Sequence, residues 1–158
     1  CIRGGAALLA APLAAEFHKA AGPHLAAQVK PGVRGFGGDA FVPPVGLGAL
    51  LGAAGGKIDP VFITVDPARD TPEQLRMYVD FFHPRLVGLT GTPEQIAAVA
   101  ETYQIFFAKT ETDGADAEDY LMDHTPIIYL MGPDGRYRTH FTPGTAPEVM
   151  AAQIREVL

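Results

Sequence analysis

The sequence predicts an α/β fold in which a mixed sheet lies between layers of helices. Residues 61–65 (VFITV) form an uninterrupted β-branched and apolar run, which is typical of a strand buried on both faces. The tetrapeptide TPEQ, a helix-start signature, occurs twice, at Thr71 and at Thr92. Residues 132–135 (GPDG) separate two further apolar runs and predict a β-hairpin near the end of the chain.

The two TPEQ segments predict well-capped helices. Thr71 is suited to the N-cap, Pro72 to the first helical position and Gln74 to the third, where its side chain can reach back to the cap. Apolar residues then recur at helical spacing until Pro84, which ends the first helix. The second segment, from Thr92, repeats the pattern. Both helices are therefore expected to pack one apolar face against the sheet.

The remaining segments complete a layered order of elements. A short helix is predicted from residue 47 to 54, because Gly55 follows an apolar run. The order after it is strand, helix, strand, helix, extended segment, acidic loop, hairpin, helix, which is the shape of a thioredoxin-like three-layer sandwich with a C-terminal hairpin and helix. The segments in this part of the chain are 86–90 (strand), 103–108 (extended), 111–119 (acidic loop), 127–131 and 137–141 (hairpin) and 145–158 (helix).

Composition excludes several classes of function. The chain has 158 residues, which fits one domain, and a net charge of −6, which argues against nucleic-acid binding because phosphates require a basic face. The only cysteine is Cys1, so an internal disulfide and a cysteine-rich zinc site are excluded. The sequence contains no run of 18 uninterrupted apolar residues, the length that would indicate a membrane span.

The first third of the chain differs from the rest. More than half of residues 1–56 are Ala, Gly or Pro, and this part carries a small positive charge, whereas the remainder is acidic. After Arg3, a run of small apolar residues resembles the end of a secretory signal or membrane anchor, and an Ala-rich helix or coil is the alternative. We therefore assign residues 1–15 to a signal or anchor remnant and 16–158 to the domain, with 16–56 divergent or poorly folded.

The segments VDPARDTPEQ and DYLMDH, within residues 57–158, resemble the Sco/SenC family. Members of this family are thioredoxin-fold proteins, periplasmic or membrane-anchored, that deliver copper to the copper A site of cytochrome c oxidase. The resemblance implies copper as the metal and the copper-site subunit of the oxidase as the partner. It also implies a location in the periplasm or on a membrane facing it, with membrane contact only through an N-terminal anchor.

The resemblance also implies a metal ligand in this chain. The family site combines a Cys-x-x-x-Cys pair with a His that follows an Asp, which here is the pair Asp123-His124. Thiolates are soft ligands that suit Cu(I), and an imidazole completes such a site. His124 is therefore the candidate ligand, and Asp123 is a candidate for orienting its ring. A half-buried structural histidine is the alternative interpretation of His124.

The chain departs from the family where the thiols are expected. The segment DAFVPPVGL aligns with the cysteine motif and puts Asp39 and Pro43 at the two cysteine positions. Proline has no ligating side chain and an Asp oxygen is a hard ligand, so we expect weak copper binding. The core strand expected at 33–37 contains Gly and Arg. Either this relative has lost its thiol chemistry, or part of the first third is translated in the wrong frame.

Two functional alternatives remain. A thiol–disulfide oxidoreductase or peroxidase-like enzyme is disfavoured, because Cys1 has no partner thiol in the chain; we therefore expect a binding protein rather than an enzyme. A metal-free interaction module on the same fold is the other alternative. Asp66 and Asp70, which follow the strand at 61–65, lie where α/β sheets often place function, but a turn that leads into the next helix is the favoured interpretation.

Overall fold

The computed structural model describes residues 5–10, 47–110 and 120–158. Within these ranges strands and helices alternate as far as the third α-helix, four strands and a last helix follow, and a 3₁₀ helix lies at Gly52–Lys57. The strands are β1 (Gly5–Ala10), β2 (Asp59–Thr64), β3 (Val87–Leu89), β4 (Phe107–Thr110), β5 (Leu121–His124), β6 (Ile128–Met131) and β7 (Tyr137–Phe141). The α-helices are α1 (Leu47–Leu51), α2 (Pro72–Phe82), α3 (Pro93–Thr102) and α4 (Pro147–Val157).

The described strands form a mixed five-stranded sheet and a separate two-stranded ribbon. The sheet order is β3-β2-β1-β6-β7, and the ribbon joins β4 to β5. Strand β2 runs parallel to β3 and antiparallel to β1, while β1 runs parallel to β6 and β6 antiparallel to β7. The mixed sheet and the closing hairpin confirm the predicted architecture.

Strand β1 occupies the centre of the sheet. Its residue Ala7 is paired with Phe62 of β2 on one side and with Ile128 of β6 on the other. These six residues lie within the segment 1–15 that we interpreted as a signal or anchor remnant, and here they form a strand of the sheet. A short run of small apolar residues suits either environment, so the interpretation of residues 1–15 stays a prediction. The strand expected at 33–37 lies outside the described residues.

Helices cover both faces of the sheet and produce three layers. On one face, Ile128 packs in a core cluster with Met150 and Ile154 of α4 and with α1, and Phe62 packs against α2. On the other face, Ile63 and Met131 pack with α3. Because neighbouring residues of β2 point to opposite faces, the run at 61–65 is buried on both sides, as its lack of alternation predicted.

The two helix starts confirm the predicted caps. The hydroxyl oxygen of Thr71 accepts a hydrogen bond from the backbone N–H of Gln74 at 3.3 Å. Thr92 forms a full capping box with Gln95: the Thr92 hydroxyl oxygen accepts from the Gln95 N–H at 3.3 Å, and the Gln95 side-chain oxygen accepts from the Thr92 N–H at 2.8 Å. These bonds satisfy amide groups that a helix start leaves without partners.

The hairpin between β6 and β7 also forms as predicted. The backbone N–H of Gly132 donates to the carbonyl of Arg136 at 2.8 Å, and Gly135 has a φ of 73°. A positive φ of this size favours glycine, which explains the second Gly of the GPDG turn. None of the helices in the described ranges has the length and apolar character that crossing a bilayer requires.

Candidate metal site and the network at the end of strand β2

The candidate ligand His124 lies on the two-stranded ribbon. His124 ends β5, and its register partner on β4 is Phe107. Beyond the ladder, the Thr125 N–H donates to the Phe106 carbonyl at 2.9 Å and the Phe106 N–H donates to the Thr125 hydroxyl at 3.2 Å. The backbone on both sides of His124 is therefore held by hydrogen bonds. The extended segment predicted at 103–108 overlaps β4 only at residues 107 and 108, and β5 was not predicted.

The His124 imidazole is half-buried and carries an unsatisfied nitrogen. Its Nδ1 atom is buried and has no hydrogen-bond partner in the described part of the chain. Buried polar atoms in proteins are nearly always paired, so an unpaired one calls for a specific explanation. A neutral imidazole nitrogen with a free lone pair is a good ligand for copper or zinc. The Nδ1 atom thus has the chemistry that a metal ligand needs.

The Asp123 side chain points away from the face of the ribbon that carries His124. Successive side chains of a strand point to opposite faces, and Asp123 is exposed where His124 is half-buried. The Asp123 Oδ2 atom accepts a hydrogen bond from the hydroxyl of Thr110 on the facing strand at 3.0 Å. The carboxylate is therefore engaged across the ribbon with Thr110 rather than with the His124 ring.

The described residues contain one element of a metal site and not a complete one. Across residues 47–110 and 120–158, no three His, Cys, Asp or Glu side chains are grouped closely enough to hold a metal ion. Asp39 and Pro43, which occupy the expected cysteine positions, lie outside the described residues, as do the acidic loop 111–119 and Cys1.

A buried polar network lies at the end of β2. The Thr64 hydroxyl donates to Oδ2 of Asp70 and accepts from the backbone N–H of Asp66 at 2.8 Å. Backbone bonds to the Asp66 carbonyl, from the Arg69 N–H at 3.2 Å and the Asp70 N–H at 3.0 Å, close a turn. The predicted turn at Asp66 and Asp70 is confirmed. Both carboxyl groups are buried, which an ordinary surface turn does not require.

Burial perturbs the acidity of Asp70. Removal of its carboxyl group from water raises the pKa of Asp70 from 3.8 to about 6, because the charged form loses solvation. The hydrogen bond from Thr64 and the positive charge of Arg69 act in the opposite direction, and the nearby Asp66 carboxylate adds to the increase. Asp70 is therefore a titrating group near neutral pH in the folded protein.

Arg69 and Tyr120 connect this network to the ribbon. The Arg69 Nε atom donates to Oδ2 of Asp66, and its Nη1 atom donates to the backbone carbonyl of Tyr120 at 2.8 Å. The Tyr120 hydroxyl donates to Oδ1 of Asp66 at 2.9 Å. The Tyr120 ring lies between two cations, with the Arg69 guanidinium carbon and the Lys109 ammonium nitrogen each 3.8 Å from its centroid.

Sequence reasoning missed the partners of Arg69. It recognised Asp66 and Asp70, but Tyr120 lies 51 residues away from Arg69 along the chain, and no spacing rule links them. Strand β5 has only four residues, in which exposed and half-buried side chains alternate. An alternation this short does not identify a strand from the sequence.

Comparison with known proteins identifies the family. The sequence profile of the SCO1/SenC family matches residues 46–158. The mitochondrial SCO1 homologue of Mus musculus is 49% identical over 84 residues, which are 53% of this chain and 29% of that protein. An SCO2-like protein of Rickettsia prowazekii is 47% identical over 87 residues, 54% of this chain and 42% of that protein. The chain thus spans less than half the length of these curated relatives.

Solved structures resemble the fold over a longer stretch. The structure of Bradyrhizobium japonicum ScoI with copper bound matches with a TM-score of 0.63 and 28% identity, covering 99% of this chain and 87% of that one. Yeast Sco1 with copper bound matches with a TM-score of 0.55 and 35% identity, covering 62% and 54%. The three-layer thioredoxin-like fold predicted from the sequence is therefore confirmed, and this chain belongs to the SCO1/SenC family.

Proposed function

We propose that this chain binds copper and delivers it for assembly of the copper A site of cytochrome c oxidase. Copper is its cargo and the copper-site subunit of the oxidase is its partner. It acts in the periplasm or on a membrane facing it, where an N-terminal anchor would hold it. One observation carries the proposal: the unpaired, buried Nδ1 of His124 lies in a fold shared with copper-bound relatives.

The chemistry of His124 supports copper as the cargo. An imidazole nitrogen binds both oxidation states of copper, and it binds as the neutral ring. Coordination would satisfy the Nδ1 atom, which has no partner within the described ranges. The ring is half-buried at the end of a strand, and the ladder to β4 holds the backbone that carries it.

The donor set predicts weaker copper binding than a two-thiolate site provides. With Asp39 and Pro43 at the positions where the family has cysteines, the chain offers an oxygen and no donor in place of two sulfur atoms. Cu(I) prefers soft ligands, so its residence on this chain is short. Transfer to an acceptor with more soft donors is then downhill in free energy.

A transfer experiment tests the proposed delivery. The chain is loaded with Cu(I) under anaerobic conditions and mixed with the copper-free soluble domain of the oxidase copper-site subunit, whose copper centre is followed by its absorption. We expect the loaded chain to fill the acceptor faster than the same amount of copper supplied on a small chelator. His124→Ala should abolish the acceleration, and His140→Ala, which removes an exposed imidazole, should retain it. Equal rates from chain and chelator would contradict the proposal.

A metal-free interaction module is the second candidate. It is motivated by the donor set, because Asp39 and Pro43 stand where the family has cysteines. Equilibrium dialysis of the full chain against a buffered Cu(I) solution separates the two candidates. Bound copper that depends on His124 supports delivery, whereas no bound copper at micromolar free Cu(I) supports the module.

A further inference from the structure

We infer that Arg69 is a positioning residue that, together with Tyr120, fixes the ribbon β4–β5 against the end of β2 and thereby sets the position of His124 at the other end of β5. The inference deepens the proposed copper function and rests on it for its functional consequence. Its structural part concerns the metal-free protein. The contacts of Tyr120 with Arg69 and Asp66 set where His124 lies relative to the sheet.

The ribbon needs such contacts because its backbone does not join the main sheet. The hydrogen bonds of β5 go to β4, and the two strands form a sheet of their own within the described residues. The orientation of the ribbon relative to β2 is therefore set by side chains rather than by a ladder of backbone bonds. Phe107 supplies one anchor, because it packs against the core cluster that contains Ile63 and Ile96.

Tyr120 supplies the anchor at the start of β5. The residue comes directly before Leu121, and three of its groups are engaged at once. Its carbonyl accepts from Arg69 at 2.8 Å, its hydroxyl donates to Asp66 at 2.9 Å, and its ring lies between the cations of Arg69 and Lys109. A backbone contact, a side-chain contact and a stacking contact together leave the ring and the main chain little freedom to rotate.

Arg69 in turn is attached to the end of β2. Its Nε atom is paired with Oδ2 of Asp66, whose other carboxylate oxygen is the acceptor for Tyr120. The Asp66 N–H is bonded to the Thr64 hydroxyl within β2. A continuous path of hydrogen bonds thus leads from the sheet through Asp66 and Arg69 to Tyr120, four residues before His124. A planar guanidinium can make these contacts together, which an ammonium cannot.

Breaking this path of hydrogen bonds should change the affinity of His124 for copper. Groups hydrogen-bonded directly to a metal-binding histidine typically change metal affinity by 10- to 100-fold when they are removed. Because Arg69 acts only through the backbone of β5 and Phe107 still anchors the ribbon, we expect an effect no larger than the lower end of that range. Arg69→Gln should weaken Cu(I) binding by about 10-fold.

Arg85 offers a matched control. It also joins distant backbone carbonyls, those of Gly55 at 3.0 Å and Ile58 at 2.7 Å, and it pairs with the Asp59 carboxylate at 3.0 Å. These contacts lie at the opposite end of β2, where the strand begins. Arg85→Gln therefore removes a comparable set of contacts without touching the ribbon.

The test begins with the metal-free full chain. Amide hydrogen exchange is measured for residues 121–124, with α4 as the internal reference for global unfolding, and the ring signals of His124 are recorded by NMR. Arg69→Gln should accelerate exchange in β5 and shift the His124 ring signals, while α4 is unchanged. Tyr120→Phe, which keeps the ring between the cations, should have a smaller effect. Arg85→Gln should leave β5 as in the wild type.

Copper binding then separates the proposed copper function from the positioning role of Arg69. A wild-type chain that binds no Cu(I) would overturn the proposed function, and the exchange and ring signals of Arg69→Gln would still decide whether Arg69 fixes His124. Unchanged exchange and ring signals in Arg69→Gln would overturn the inference. So would altered exchange with a Cu(I) affinity equal to that of the wild type, because Arg69 would then be structural only.

Discussion

The hydroxyl of Thr64 donates a hydrogen bond to the carboxyl group of Asp70, six residues further along the chain. Both residues are almost fully buried, with relative exposures of 0% and 1%. Burial of the Asp70 carboxyl group raises its pKa to about 6. The folded protein therefore retains the Asp70 proton at pH values where the unfolded chain has released it.

This retention predicts that Asp70 lowers the free energy of unfolding as the pH rises. The folded pKa lies above the ordinary value of 3.8, so the contribution of Asp70 to stability is fully present below about pH 4 and is lost as the pH passes about 6. A shift of this size corresponds to roughly 2 to 3 kcal/mol between pH 4 and pH 8.

Urea unfolding of Asp70→Asn at several pH values checks this effect. The amide does not titrate, so the stability of the variant relative to the wild type should rise by roughly 2 to 3 kcal/mol between pH 4 and pH 8. Glu156→Gln, which changes an exposed carboxyl group in α4, should show no such rise. A constant difference between Asp70→Asn and the wild type would contradict burial of a titrating Asp70.

Gly88 is predicted to be intolerant of a side chain. A Cβ atom built at Gly88 in β3 would lie 2.7 Å from Cγ of Leu75 and 3.1 Å from Cγ1 of Val79, both in α2. Gly88→Ala should lower the free energy of unfolding by about 1 to 3 kcal/mol, because the helix must move away from the strand.

Gly48→Ala is the control for this substitution. A Cβ at Gly48 in α1 meets nothing within 4 Å, and Ala is the better helix former by about 1 kcal/mol. We expect Gly48→Ala to be neutral or stabilising in the same urea unfolding assay. A Gly88→Ala variant as stable as the wild type would show that α2 does not pack on β3 this closely.

The capping box of α3 predicts a loss of helix stability on removal of its hydroxyl. Thr92→Ala deletes the acceptor for the Gln95 N–H and should cost about 1 kcal/mol in the free energy of unfolding. Thr92→Ser keeps the acceptor and should cost much less. Thermal unfolding of the two variants checks the prediction, and equal melting temperatures would contradict a role for the Thr92 hydroxyl.

Asp123 is predicted to contribute little to copper binding. Its carboxylate accepts from Thr110 across the ribbon, so we expect that it does not orient the His124 ring. Asp123→Asn should change the Cu(I) dissociation constant by less than about 3-fold, well below the typical effect of a group bonded to a metal ligand. A 10-fold or larger loss in a chelator competition assay would restore the sequence-based role of Asp123.

Local patterns predicted most of the layered fold correctly. The caps at Thr71 and Thr92, the hairpin turn at 132–135 and the doubly buried strand at 61–65 all depend on residues close together in the chain. These features can be predicted without tertiary information, because caps and turns depend on residues only a few positions apart.

The features that the sequence did not predict depend on partners distant in the chain. The small apolar residues of β1 suit a leader as well as a strand, and their place in the sheet depends on pairing with β2 and β6. The link between Arg69 and Tyr120 spans 51 residues. That Asp123 orients the His124 ring stays a prediction, and strand geometry, which points the two side chains to opposite faces, argues against it.

The most direct test of the account is a Cu(I) competition titration of the full chain against a chromophoric chelator, with His124→Ala and His140→Ala measured in parallel. We expect 1:1 binding by the wild type, weaker than a two-thiolate site, unchanged in His140→Ala and lost in His124→Ala. Because Nδ1 of His124 has no partner in the described structure, the folded state should tolerate its removal. Copper binding of equal strength in His124→Ala and the wild type would contradict the account.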